Sequence, residues 1–147
     1  MSLDRPAVDV SLLLVRVIVG VIFAAHGAQK LFGVWGGHGL EAMVQPPPQG
    51  MGTLGYFVTV GEFFGGLGLI LGFLTRFSAA SLIVIMIGAI VKVHWQGGFF
   101  APKGFEYNLA LIGLLAPILL CGPGRFSIGR LFMPQSGRTG RPIVIVE

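Results

Sequence analysis

One cysteine, Cys121, is present among 147 residues. A lone thiol cannot close an intramolecular disulfide or run dithiol exchange, and the ligand spacings of zinc fingers, iron–sulfur clusters and covalently attached haem are missing too. No metal site is therefore expected, and the absence constrains any redox role. Charge is also scarce. Only 11% of residues are Asp, Glu, Lys or Arg against 54% hydrophobic, and the mean hydropathy is +0.84. That leaves too little polar surface to wrap a water-soluble globule. Acidic residues are the rarest, six against ten Lys and Arg, for a net charge of +4. The basic excess flanks apolar runs rather than forming a recognition stripe, so its explanation is topological and nucleic acid is not an expected partner.

What is abundant is apolar sequence in long runs. Four stand out, Val10–Phe32, Thr53–Leu74, Phe77–Val93 and Tyr107–Cys121, each near the ~20 residues that cross ~30 Å of hydrocarbon. They predict an all-α, four-transmembrane-helix bundle in a lipid bilayer, with residues 1–130 forming one membrane domain and 131–147 a tail. Arg5, Arg76, Arg125, Arg130, Arg138 and Arg141 fall on one side of these spans. Lys30, Lys92 and Lys103 fall on the other. The Arg-rich side is expected to be cytoplasmic, with both termini inside. A cleaved signal peptide is disfavoured by Arg16 inside the first run and by the three further spans. The connection from Gly33 to Gly52 carries Trp35, a Gly-Gly-His-Gly run and Pro46-Pro47-Pro48, and reads as an external loop. Trp35 and Trp95 lie just beyond outer helix ends, where indole rings favour the headgroup region. Pro117 interrupts the last run.

The polar residues inside these runs are where function is expected, because Arg16, His26, Glu62 or Glu106 is costly beside lipid tails and has to face a partner helix or a wet cavity. At 100° per residue, Arg16, Gly20, Phe23, Gly27 and Lys30 share one helical sector, which is expected to face the bundle interior. Gly61, Gly65, Gly68 and Gly72 form a small-residue seam on the second run, and close helix packing is the role expected of them. Glu62 sits beside that seam, closer in depth to His26 than to Arg16. It is expected to join the His26 and Lys30 side of the first span, with Glu106 and His94 completing a polar cluster in the outer half.

That cluster admits two readings. It can be a self-satisfied polar plug that fixes helix register. It can also be a site for a polar head such as a quinone ring, with His26, Glu62 and Glu106 handling protons and Arg16, Lys30, Lys92 and His94 contacting the ligand. A haem between His26 and His94 is weaker on residue type alone, polar packing being the commoner reason for two histidines on different helices. Transport fits least for a monomer, since no inverted repeat or pair of broken helices is evident.

The ordered motifs resemble the DoxX family of small bacterial membrane proteins. They are Arg16, Gly20, Phe23 and His26-Gly27-Ala28-Gln29-Lys30-Leu31-Phe32-Gly33, then Glu62-Phe63-Phe64-Gly65-Gly66, Gly68, Gly72 and Thr75-Arg76. Later come His94, Gly98-Phe99-Phe100, Gly104-Phe105-Glu106-Tyr107 and Gly122-Pro123-Gly124-Arg125-Phe126-Ser127. The resemblance implies a four-helix bundle in the bacterial cytoplasmic (inner) membrane. In some relatives it implies an association with thiosulfate or quinone oxidoreduction. Combined with the missing redox motif, it implies an accessory subunit of a quinone-linked oxidoreductase. Such a subunit would work with other membrane subunits or as a homo-oligomer, with quinone as ligand and no intrinsic cofactor. The alternative is a non-catalytic structural or assembly subunit. The Pro-rich first loop and the Ile143-Val144-Ile145-Val146 tail stand outside the family pattern.

Overall fold

The structure is a computed structural model that describes residues 5–131. Arg138, Arg141 and the Ile143–Val146 stretch lie outside the described residues. Helix α1 is Arg5–Phe32. It begins ahead of the apolar run because Pro6 is tolerated in a first turn, where its missing N–H has no intrahelical partner to lose. The six-residue α2, Gly39–Val44, follows within the first connection. Helix α3 is Thr53–Leu71, α4 is Thr75–Ala89 and α5 is Glu106–Cys121.

Helix α4 does not end at Val93, the boundary read from hydropathy. It continues through a wider π turn, Ile90–His94, and a 3-10 turn, Trp95–Gly97, since no Gly or Pro follows Gly88 until Gly97-Gly98. Three helical segments are long and apolar enough to cross a membrane: Arg5–Phe32, Thr53–Leu71 and Thr75–Gly97. Helix α5, sixteen residues, is shorter, about 24 Å at ~1.5 Å per residue, and runs unbroken through Pro117.

Packing closes a ring in which α1 lies beside α3, α3 beside α4, α4 beside α5, and α5 returns to α1. Helix α2 rests on α3 and α1 at one end. Val19, Phe23, Leu69, Leu82, Met86, Leu111 and Leu115 fill the centre. Phe57, Phe64, Phe77, Val84 and Leu120 point outward, as residues facing acyl chains should. Apolar side chains gain little by leaving lipid for a helix interface, so close backbone approach has to hold the ring together. The glycines of α3 provide it on two faces. A Cβ at Gly61, Gly65 or Gly68 would meet Ile85, Leu82 and Ser78 of α4 respectively. Gly66 instead faces α1: the carbonyl of Gly66 lies 2.8 Å from where a Cβ on Gly20 would be, and Gly27 abuts the Phe63 backbone. This second face was not apparent in the seam spacing.

Gly72 does not continue the row against α4. It adopts φ 71° and ends α3 in a Schellman arrangement, with Gly72 N–H donating to Leu69 O at 3.2 Å and Phe73 N–H to Gly68 O at 2.9 Å. The next helix starts almost at once, which makes α3 and α4 a tight antiparallel hairpin. Leucine at Gly65 or Gly68 should lower thermal stability in detergent, by about 1–3 kcal/mol for overpacking of this kind. Gly68→Leu should be the worse, because the Phe73 backbone carbonyl lies 3.1 Å from the added Cβ and cannot rotate away as Leu82 can beside Gly65. A Gly68→Leu protein that melts normally would count against the seam.

Candidate functional site

The last turns of α1 bring His26 and Lys30 to the end of the bundle where α3 begins. Glu62, on α3, is 3% exposed there. Lys30 Nζ donates to Glu62 Oε2, forming the one ion pair among the described residues. A carboxylate this deep in an apolar bundle requires such a partner, and Lys30, 30% exposed along its side chain, brings its ammonium to Glu62 on a flexible stem.

Around this pair two voids meet. One is an open pocket of about 430 Å³ lined by Phe23, His26, Lys30, Glu62, Tyr107 and Asn108, with Ala101, Pro102 and Gly104 of the loop before α5 along it; His26 and Tyr107 are themselves exposed. His26 faces the Tyr107 ring there, with centroids 6.4 Å apart. Asn108 is buried and donates to Met86 Sδ at 3.4 Å, a weak acceptor. The other void is a groove of about 540 Å³ between α3 and α4 beneath α2, lined largely by Met43, Met51, Leu54, Phe57, Val58 and Val84. Lys30, Glu62, Ala89 and His94 belong to both walls. The ion pair thus stands in the wall that the two voids share.

Similarity to known proteins identifies the scaffold. The DoxX family model matches residues 11–95, more than half of the chain. The protein belongs to the DoxX family. It is 31% identical to an uncharacterized membrane protein of Mycobacterium tuberculosis, over 88% of this chain and 86% of that one. It is 29% identical to the Escherichia coli inner membrane protein YqjF, over 84% of this chain and 92% of the relative. It is also 29% identical to a Bacillus subtilis protein named "Putative oxidoreductase CatD", over 72% of this chain and 76% of the relative. No solved structure matches the chain significantly. With its several long apolar helices, this DoxX chain is a multi-pass protein of the bacterial inner membrane.

The DoxX match contains Arg16, His26, Lys30, Glu62, Lys92 and His94 but stops short of the loop and helix that supply Tyr107 and Asn108. Of the residues singled out in the sequence, the structure brings His26, Lys30, Glu62 and His94 together. The π turn carries both Lys92 and His94. His94 lines both voids, whereas Lys92 lines the groove alone. His94 Nδ1 lies 3.1 Å from Lys103 O. A carbonyl only accepts, so Nδ1 is the N–H donor and Nε2 is left as the acceptor of the neutral ring.

Glu106 does not line either void. Its Oε1 accepts the Ala101 N–H at 2.8 Å and ties down the loop that roofs the cavity. Arg16 lies ten residues before His26 on α1, about 15 Å away at ~1.5 Å per residue. It is 2% exposed and donates to the carbonyls of Pro123 and Phe126, at the opposite end of the bundle. Among the described residues no group of three His, Cys, Asp or Glu side chains could hold a metal. Tyr107 and Asn108 were not singled out because neither is charged at neutral pH. Their signal is nonetheless present, as a Glu-Tyr-Asn triplet opening an otherwise apolar helix.

Proposed function

We propose that this DoxX protein is an accessory subunit of a quinone-linked membrane oxidoreductase, with the quinone ring seated in the cavity beside Lys30 and Glu62. The observation that carries the reading is the pairing of buried Glu62 with half-buried Lys30 in the wall shared by the pocket and the apolar groove. Quinone reduction takes two electrons and two protons. The electrons come from a partner subunit that holds a redox centre, since this chain has no motif for one. The protons are the part this chain is equipped to handle: Glu62 and His26 as acid–base groups, and Lys30 favouring negative charge as it develops on a ring oxygen. The Tyr107 hydroxyl and the Asn108 amide are further hydrogen-bond donors in the cavity wall. The name of the Bacillus subtilis relative agrees with an oxidoreductase association. The test is purification of the full chain in gentle detergent, identification of co-purifying quinones and subunits, and labelling with a ring-azido quinone. Label on His26 or Tyr107 peptides is expected. Its absence, together with the absence of bound quinone, would overturn the proposal.

A second reading, an assembly subunit of a larger membrane complex, is favoured by one specific observation: Glu62 already has its counter-charge in Lys30, so the pair can serve packing alone.

In either reading α5 is the fourth span and the Arg-rich end is cytoplasmic. Arg5, Arg76 and Arg125 cluster on the side of the α3–α4 turn, and Lys30, Lys92 and Lys103 on the cavity side, which favours that orientation. In a background lacking Cys121, single cysteines at positions 2 and 138 should be labelled from inside and those at 45 and 101 from outside. Either terminus found outside would place the cavity in the inner half of the membrane instead.

A further inference from the structure

The groove between α3 and α4 differs from the rest of the outward surface in having a third wall. Helix α2 packs so closely on the first turn of α3 that a Cβ at Gly55 would lie 2.0 Å from Met43 O. The segment after α2 is pinned, with Met51 N–H donating to Met43 O at 2.9 Å and Gly52 N–H to Gln45 O at 2.8 Å. Met43 and Met51 therefore line the groove from a fixed backbone, with flexible apolar side chains that adapt to an irregular occupant. Along α4 the lining runs from Lys92 to Val84, about 12 Å at ~1.5 Å per residue. That is most of the ~15 Å of hydrocarbon in one leaflet, half of a ~30 Å core. Lys92 and the exposed Trp95 mark the groove's end where α4 leaves the apolar run, the depth of lipid headgroups. Charge along the lining is unequal. Lys30 and Glu62 cancel as an ion pair, and His94 has Nδ1 on Lys103 O. Lys92 makes no ion pair among the described residues, so one unmatched positive charge stands at the headgroup end. We infer that the groove holds an acyl chain of an anionic phospholipid, with Lys92 against the headgroup. The site needs only the groove and Lys92, and stands apart from the quinone reading of the neighbouring pocket.

Chain and headgroup can be tested separately. Gly88 lines the groove, and a Cβ added there meets nothing within 4 Å. Phenylalanine at this position should therefore fill the groove without displacing a helix. Gly113 on α5 has equally open surroundings and is not a lining residue, so Gly113→Phe is the control for bulk. Val84→Trp, from an exposed position on the groove wall, is a second blocking variant should Gly88→Phe assemble poorly. For charge, Lys92→Gln is compared with Lys103→Gln, since Lys103 is an exposed cation at the same end of the bundle but outside the groove.

The full chain in a non-ionic detergent would be titrated with phosphatidylglycerol or phosphatidylcholine of identical chains, and bound lipid counted by native mass spectrometry. The parent should prefer phosphatidylglycerol by about fivefold, the usual weight of one lysine beside an anionic lipid. Lys92→Gln should abolish that preference and leave phosphatidylcholine unchanged, with Lys103→Gln altering neither. Gly88→Phe and Val84→Trp should weaken both lipids by about tenfold or more, as the apolar wall is no longer open to a chain. Gly113→Phe should bind both as the parent does. Equal loss of preference in Lys92→Gln and Lys103→Gln would reveal diffuse surface attraction and overturn the inference. So would lipid binding that survives both blocking variants. A parent dimer that Gly88→Phe converts to monomer would assign the groove to a second copy of the chain and overturn it as well. None of these results bears on quinone labelling of His26 or Tyr107, so the two proposals fail separately.

Discussion

Glu62→Gln should assemble normally and lose quinone-linked turnover by about a hundredfold or more, the usual range for removing a general acid–base group. Glutamine has nearly the shape of glutamate, and its amide oxygen can still accept from Lys30, so the tie between α1 and α3 is kept. What disappears is a group able to take and release a proton at that position. His26→Gln should behave alike, since His26 lines the same cavity within one helical turn of Lys30. The quantity to measure is activity per assembled complex. If both variants turn over normally once assembled, the proton role of this cluster is lost and the assembly reading takes its place. If assembly itself fails in both, the ion pair is structural.

The second large effect is expected at the other end of α1. Arg16→Met removes a buried cation and leaves the carbonyls of Pro123 and Phe126 without their donors. Hydrogen bonds from charged groups are worth about 1.5–3 kcal/mol each. The loss should therefore be about 3–6 kcal/mol, comparable with the entire stability of many proteins. Arg16→Lys should not rescue it, because one ammonium on a flexible stem cannot fork across two carbonyls as a planar guanidinium does. Thermal melting in detergent, together with the rate at which Cys121 reacts with a maleimide, reads the effect: the last turn of α5 and the segment beyond it should loosen together. An Arg16→Met protein that melts like its parent would show that these contacts contribute little.

Legibility in the sequence divides along physical lines. The inward face of α1 follows from its period, which groups Arg16, Gly20, Phe23, Gly27 and Lys30; the first four are buried and Lys30 is half-buried. Depth arithmetic put Glu62 nearer to His26 than to Arg16, and its partner in the structure is Lys30, one turn from His26. Both arguments need only helix rise and rotation. Three features resist that treatment. The π turn at Ile90–His94 has no residue signature, yet it sets where Lys92 and His94 face. Arg16 is held by main-chain carbonyls, which every residue possesses, so nothing in the sequence marks Pro123 and Phe126 as its partners. Glu106 looked like a member of the polar cluster because charge and depth were the only guides, whereas the backbone N–H of Ala101, five residues earlier in the loop, accounts for it. The double use of α3 by Gly66 on one side and Gly61, Gly65 and Gly68 on the other was hidden for a related reason. Adjacent glycines fit several seams equally well, and only the positions of α1 and α4 decide among them.

The anchoring of Arg16 also bears on how the chain is made. Its acceptor at Pro123 is synthesised 107 residues later, which at ~5–20 residues per second is about 5–20 s of translation. Throughout that interval α1 is already in the membrane with an unmatched cation, able only to stretch toward the nearer phosphate layer. The final position of α1 along the membrane normal is therefore set late, when the Gly122–Ser127 turn emerges and draws the guanidinium inward. With the Arg-rich end cytoplasmic, as proposed, an arrest of synthesis after α4 should leave α1 shifted toward the ribosome, held by the same side chain that later locks the finished bundle.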